Sequence, residues 1–231
     1  MKIPDDVDLI EYLRLNGELE SQDLHGAAYW REELVERMHG GLQAVGAKLP
    51  WKKTHEAVRV RPGELSIHAG INGHRKSMIT GQMALHFAVQ GQRSCIVSLE
   101  MKPEATLGRL CRQASTSELP SKEWINKFLD WADDKFILYD RIDSTPVESI
   151  LGVAYYSAQE LGCEHIFIDS LMKCGIGTDD YNKQKKFLDQ LAICAKKTGA
   201  HIHLIAHMRK NGTEYQTPGK FDVKGAGELT D

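Results

Sequence analysis

Residues 65–77 read LSIHAGINGHRKS. A short, mostly apolar run at 65–69 leads into a glycine-containing turn that ends in Lys76-Ser77, and residues 76–90 then carry a helical pattern. Strand, turn, Lys-Ser and helix in this order form a phosphate-binding loop, whose pattern is G-x-x-x-x-G-K-[ST]. Gly70 opens the pattern and Lys76-Ser77 close it, with Arg75 in place of the second glycine. The residue types follow from the chemistry. Backbone N–H groups of the loop and of the helix start face a polyphosphate, and the helix dipole favours its negative charge. Lys76 reaches the β- and γ-phosphates of ATP or another NTP, and the Ser77 hydroxyl binds Mg²⁺. Gly70 and Gly73 let the backbone approach without a Cβ in the way. Arg75 calls for either a strained backbone or a remodelled loop. A chance Lys-Ser on a surface loop would lack the flanking strand and helix.

Outward from this stretch the pattern alternates. Strands are predicted at 65–69, 94–99, 136–139, 165–168 and 201–206, and helices at 76–90, 103–115, 121–132, 146–161 and 182–197. Near-continuous apolar strands between helices predict an α/β fold with a mostly parallel sheet covered on both faces. Ligands of such sheets bind at the carboxyl ends of the strands. Three further candidates sit at those ends. Glu100 follows the second strand, where a carboxylate beside a phosphate loop orients and deprotonates water; the plainer reading is a charge at a helix start. Asp169 ends the apolar run His165-Ile166-Phe167-Ile168 and would hold Mg²⁺ through its coordinated water. His207 ends the fifth strand, either hydrogen-bonding a γ-phosphate or serving as a partly buried polar residue.

The N-terminal part is different in kind. Residues 1–22 are polar, acidic and weakly patterned. Residues 23–45 read as a helix with Ala27, Trp30, Leu34, Met38, Leu42 and Val45 at helical spacing. This stripe either packs on its own domain or docks on a neighbouring subunit. Residues 48–61 form a connecting segment, and Pro62-Gly63 a turn. The expected division is an N-terminal helical arm and linker over 1–60 and an ATPase-type domain over 61–231. The net charge of −3 gives no global nucleic-acid footprint, so a DNA site must be a local basic patch. Cys95, Cys111, Cys163, Cys174 and Cys194 are scattered without C-x-x-C spacing, which excludes the usual zinc and disulfide frameworks. No apolar run is long enough for a membrane span and no signal peptide is visible. A cytoplasmic setting is therefore expected.

SLEM at 98–101, IFIDSL at 166–171, AHMRK at 206–210 and DVKGAGELTD at 222–231 resemble the ATPase domain of DnaB-type replicative helicases. The likeness covers 61–231, and RPGELSIHAGINGH is similar to phage helicases and helicase-primases. It implies a RecA-like fold, hexameric rings, NTP hydrolysis with Mg²⁺ and translocation on single-stranded DNA, with a primase among candidate partners. By position it assigns Lys76 and Ser77 to the phosphate loop and Glu100 to water activation. Asp169 becomes the magnesium aspartate and His207 the γ-phosphate sensor. It also implies DNA-binding loops at 171–181 and 208–224. The second carries Arg209, Lys210, Lys220 and Lys224 against Glu214 and Asp222, and Gly212, Pro218 and Gly219 predict a mobile loop. A local basic excess there suits phosphate contacts without sequence readout; a solvated charged loop is the plainer reading. The resemblance further implies strands and a trans-acting arginine finger beyond Asp231, so a fragment of a larger protein is expected. Two rivals stay open. Arg75 could leave a non-hydrolysing DNA-binding or ring-assembly module, and recombinase or circadian-clock-type ATPases share the same fold.

Overall fold

Strand pairing sets the architecture. In the computed structural model, which describes residues 8–16, 26–39, 46–71, 73–141, 145–176 and 180–207, the elements in chain order begin with α1 (Leu9–Asn16). A 3₁₀ turn (Ala27–Trp30) then runs into α2 (Arg31–His39). The alternating part follows as β1 (Leu65–Gly70), α3 (Lys76–Val89), β2 (Ser94–Ser98), α4 (Pro103–Ser115), α5 (Lys122–Ala132) and β3 (Phe136–Leu138). It continues with α6 (Val147–Gln159), β4 (His165–Asp169), α7 (Tyr181–Thr198) and β5 (His201–His207). Among the described residues the five strands form one sheet, ordered β1-β5-β4-β2-β3 and parallel throughout. The α/β fold and parallel sheet expected from the alternation are the ones observed, with boundaries differing by one or two residues.

Period-two alternation divides the core into two layers. Cys95 and Val97 of β2, Ile166 and Ile168 of β4, and Ile202 and Leu204 of β5 face one way. They pack with Ile150, Leu151 and Ala154 of α6 and Phe187 and Leu191 of α7. Ile96 and Phe167 face the other way, against Met83, Ala84 and Phe87 of α3, Leu110 of α4 and Phe128 of α5. Local chemistry fixes the helix ends. Pro103 starts α4, where its missing N–H costs nothing. The Ser121 hydroxyl accepts from the Trp124 amide at the start of α5 (3.2 Å). Gly199, at φ +74°, closes α7 in the left-handed conformation that glycine favours.

The N-terminal region differs from its sequence reading. The segment read as weakly patterned holds α1. Its start is capped by Asp8 Oδ1, which accepts from the Ile10 and Glu11 amides (3.0 and 3.1 Å). Tyr12 packs edge-on against Tyr156 of α6, and its hydroxyl donates to Glu160 Oε1 (2.6 Å). A short helix with one apolar edge is hidden from a search for a long stripe. Within the helix predicted over 23–45, the described residues form a 3₁₀ turn after the extended Gly26 and then α2 as far as His39; residues 23–25 and 40–45 lie outside the described residues. Trp30, Leu34 and Met38 of the predicted stripe are 51, 54 and 72% exposed. Beside and near the end of the expected connecting segment, two residues pack against the helices. Ala47 and Val60 pair antiparallel and are buried with α3 and α4 residues.

Candidate nucleotide site

The carboxyl ends of β1, β2, β4 and β5 open onto one cleft of about 530 Å³. It is lined by Gly73, Arg75, Lys76, Ser77, Glu100, Arg109, Asp169 and His207, among others. The candidates Gly73, Arg75, Lys76, Ser77, Glu100, Asp169 and His207 therefore converge, and Gly70 adjoins them through Lys76. The Lys76 ammonium donates to the carbonyls of Gly70 (2.8 Å) and Ile71 (3.1 Å). A Cβ on Gly70 would sit 3.3 Å from the Lys76 side chain, a tight contact that would make the lysine shift by a few tenths of an ångström. Gly73 has φ +84°. Arg75, in the place of the pattern's second glycine, adopts φ +58°, ψ +29° immediately before α3. Of the two alternatives for this position, the loop keeps a left-handed residue and the arginine bears the strain. Arg75→Gly should relieve it. Up to about 1 kcal/mol of stability, or a rise of roughly 2–4 °C in melting temperature, is expected. An unchanged or lower Tm in a thermal melt would show that Arg75 makes compensating contacts.

Ser77 and Asp169 meet directly. The serine hydroxyl donates to Asp169 Oδ2 at 2.6 Å. Burial pushes the Asp169 carboxyl above its ordinary range; the Ser77 hydroxyl opposes this, Glu100 adds to it, and His207 and Arg109 oppose it. Burial likewise lowers the Lys76 ammonium, against the pull of Asp169 and Glu100. A hydroxyl and a carboxylate at the start of a helix form a hard-oxygen donor pair, and both oxygens retain lone pairs. The pair fits Mg²⁺, which takes one or two protein oxygens and shares the rest with phosphate and water.

Glu100 and His207 are joined by a residue that sequence reasoning missed. Ser170 Oγ donates to Glu100 Oε1 (2.9 Å), and His207 Nε2 lies 3.2 Å from the same hydroxyl. The peptide between Asp169 and Ser170 is cis. A hydroxyl following a strand-end aspartate was the available signal. Arg109 is the second omission. It lines the cleft from α4, with Nη2 2.6 Å from Met101 Sδ, and its charge acts on Asp169. Its place two turns into the helix after Glu100 was the clue. Lys173, on a 3₁₀ turn after β4, also borders the cleft. Arg209, Lys210, Lys220 and Lys224 lie outside the described residues.

The family model described as "AAA domain" matches residues 42–213, about three quarters of the chain. The chain belongs to the AAA domain family. For this AAA domain the match begins ahead of the Ala47–Val60 pair, in keeping with the packing of that segment. A solved structure, the ATPase domain of G40P, superposes with a TM-score of 0.74 at 13% identity, covering 90% of this chain and 80% of that one. At that identity the likeness shows the fold, and at the level of fold it bears out the resemblance to DnaB-type helicase ATPase domains. No curated protein matches. Among the described residues, no helix of the AAA domain is long and apolar enough to cross a membrane.

Proposed function

We propose that the chain is the motor domain of an NTP-dependent DNA helicase, coupling ATP hydrolysis to movement along single-stranded DNA. One observation carries the reading: Lys76, Ser77, Glu100, Asp169 and His207 come from four strand ends and line a single cleft. In this reading Lys76 leaves the Gly70 and Ile71 carbonyls for the β- and γ-phosphates, and the N–H groups starting α3 take their oxygens. Ser77 and Asp169 hold Mg²⁺, which neutralises charge on the phosphates. Glu100 orients and deprotonates the attacking water. His207 donates to the terminal phosphate, and Arg109 adds a cation within the same cleft. The exposed Trp30–Leu34–Met38 face supports assembly of subunits into a ring. The basic residues Arg209, Lys210, Lys220 and Lys224 would face the DNA, with a phage-type replication setting, and a primase as partner, following from the sequence resemblance.

Arg75 favours a second reading, a ring subunit or DNA-binding module that holds nucleotide without hydrolysing it, because its backbone occupies a conformation usually left to glycine. The test of helicase function is strand displacement on a forked duplex with MgATP. The motor reading predicts ATP-dependent displacement, and its absence despite DNA binding favours the second reading. For the DNA contacts, changing Lys210 and Lys220 together to Ala should weaken single-strand binding uniformly across sequences. The salt dependence should flatten by up to about two units of slope. Anisotropy over a salt series measures this; an unchanged slope places DNA elsewhere.

A further inference from the structure

Ser170 is fully buried between side chains from two other strands. Its Oγ is 2.9 Å from Glu100 Oε1 and 3.2 Å from His207 Nε2. A serine hydroxyl has one proton, and an ionised carboxylate only accepts. That proton therefore goes to Glu100. The contact with His207 then requires Nε2–H as donor. Nδ1 is buried with no hydrogen-bond partner among the described residues. Between His207 Nε2 and Glu100 Oε1 the distance is 3.7 Å, too long for a hydrogen bond. Ser170 is thus the polar connection between them.

The two bonds run in one direction, from His207 to Ser170 to Glu100, and in such a chain each bond polarises the next. His207 Nε2 carries one proton, and Ser170 accepts it here. A terminal phosphate oxygen that takes this proton removes the serine's donor and changes the hydrogen bond that orients the carboxylate. We propose that Ser170 is a positioning residue that orients Glu100 and makes that orientation depend on what His207 engages. This rests on the hydrolase reading above.

The test is a double-mutant cycle on the kcat of MgATP hydrolysis, using the full chain with single-stranded DNA, with MgADP affinity as the measure of an intact site. Ser170→Ala should lower kcat about tenfold, as loss of a hydrogen bond to a charged group does, with KM and MgADP affinity within about twofold. Ser170→Cys, which keeps the size with a weaker donor, should fall between. Once His207 is Ala, removing the serine should cost little more, because the connection is already cut. Full additivity, or a Ser170→Ala chain as active as wild type, overturns the coupling. A Ser170→Ala chain that also loses MgADP binding overturns it too, by showing a structural role. A wild-type chain that is inert and no different from Glu100→Gln overturns the hydrolase reading and the coupling with it.

Discussion

Glu100→Gln is expected to lower turnover by roughly 10²–10⁴, the range for loss of a general base, while nucleotide affinity stays within a few-fold. The substitution keeps the size of the side chain and an oxygen that still accepts from Ser170, so the 2.9 Å hydrogen bond survives. It removes the group that, in the proposed reading, takes a proton from water. The hydrogen-bond partners of Lys76 and Ser77 are the loop carbonyls and Asp169, not Glu100, which acts on Lys76 only through its charge. Binding and chemistry are therefore separable at this position. Single-turnover hydrolysis alongside a nucleotide titration distinguishes them. Should both fall together, Glu100 serves the architecture of the cleft and not the reaction.

A second large effect is expected with acid. His68, His165, His201 and His203 lie on the face of the sheet covered by α3, with Phe87 stacked on His165 at 4.0 Å and Phe167 on His203 at 4.2 Å. His203 joins the His68 and His165 rings at 3.1 and 3.2 Å, and His165 reaches Gln92 Oε1. His201 sits between the Ser66 hydroxyl and the Arg61 carbonyl. Burial lowers all four, His68 to about 4 and His165 to about 3, with neighbouring imidazoles adding to the effect for His68, His165 and His203. A folded-state value below the unfolded one means that the unfolded chain binds more protons over the interval between them. Stability is therefore complete above the ordinary value of 6.5 and is lost as pH falls toward the folded values. One unit below that value His68 and His165, if neutral, each cost about 1.4 kcal/mol, the two together on the order of 3 kcal/mol, and His201 and His203 add in the same direction. Urea unfolding between about pH 7 and pH 5.5, above the carboxylate range, measures this loss; a flat profile would mean that the rings charge without cost.

This cluster also marks where sequence reading stops. The sheet was legible because β2, β4 and β5 read as near-continuous apolar runs, and because a helical pattern follows each of the first four strands. The histidines at 165, 201 and 203 were given no role in that reading. Their burial depends on β1, β4 and β5 lying side by side, and on partners brought from residues 61, 66 and 92, which no local pattern reveals. The cleft divides in the same way. Lys76, Ser77, Glu100, Asp169 and His207 were visible because each ends a strand or opens a helix. Ser170 and Arg109 act through contacts with residues far away in the chain. Helix α1 escaped because its two turns are held mainly by one tyrosine against α6.

The central claim is that this cleft holds a magnesium nucleotide through Lys76, Ser77 and Asp169, despite Arg75. Calorimetric titration of the full chain with MgADP, beside Lys76→Ala, tests it most directly. The account predicts saturable binding of one nucleotide per chain, and loss of that binding when the lysine is removed. Heat that is absent in the wild-type chain, or undiminished in Lys76→Ala, would contradict it.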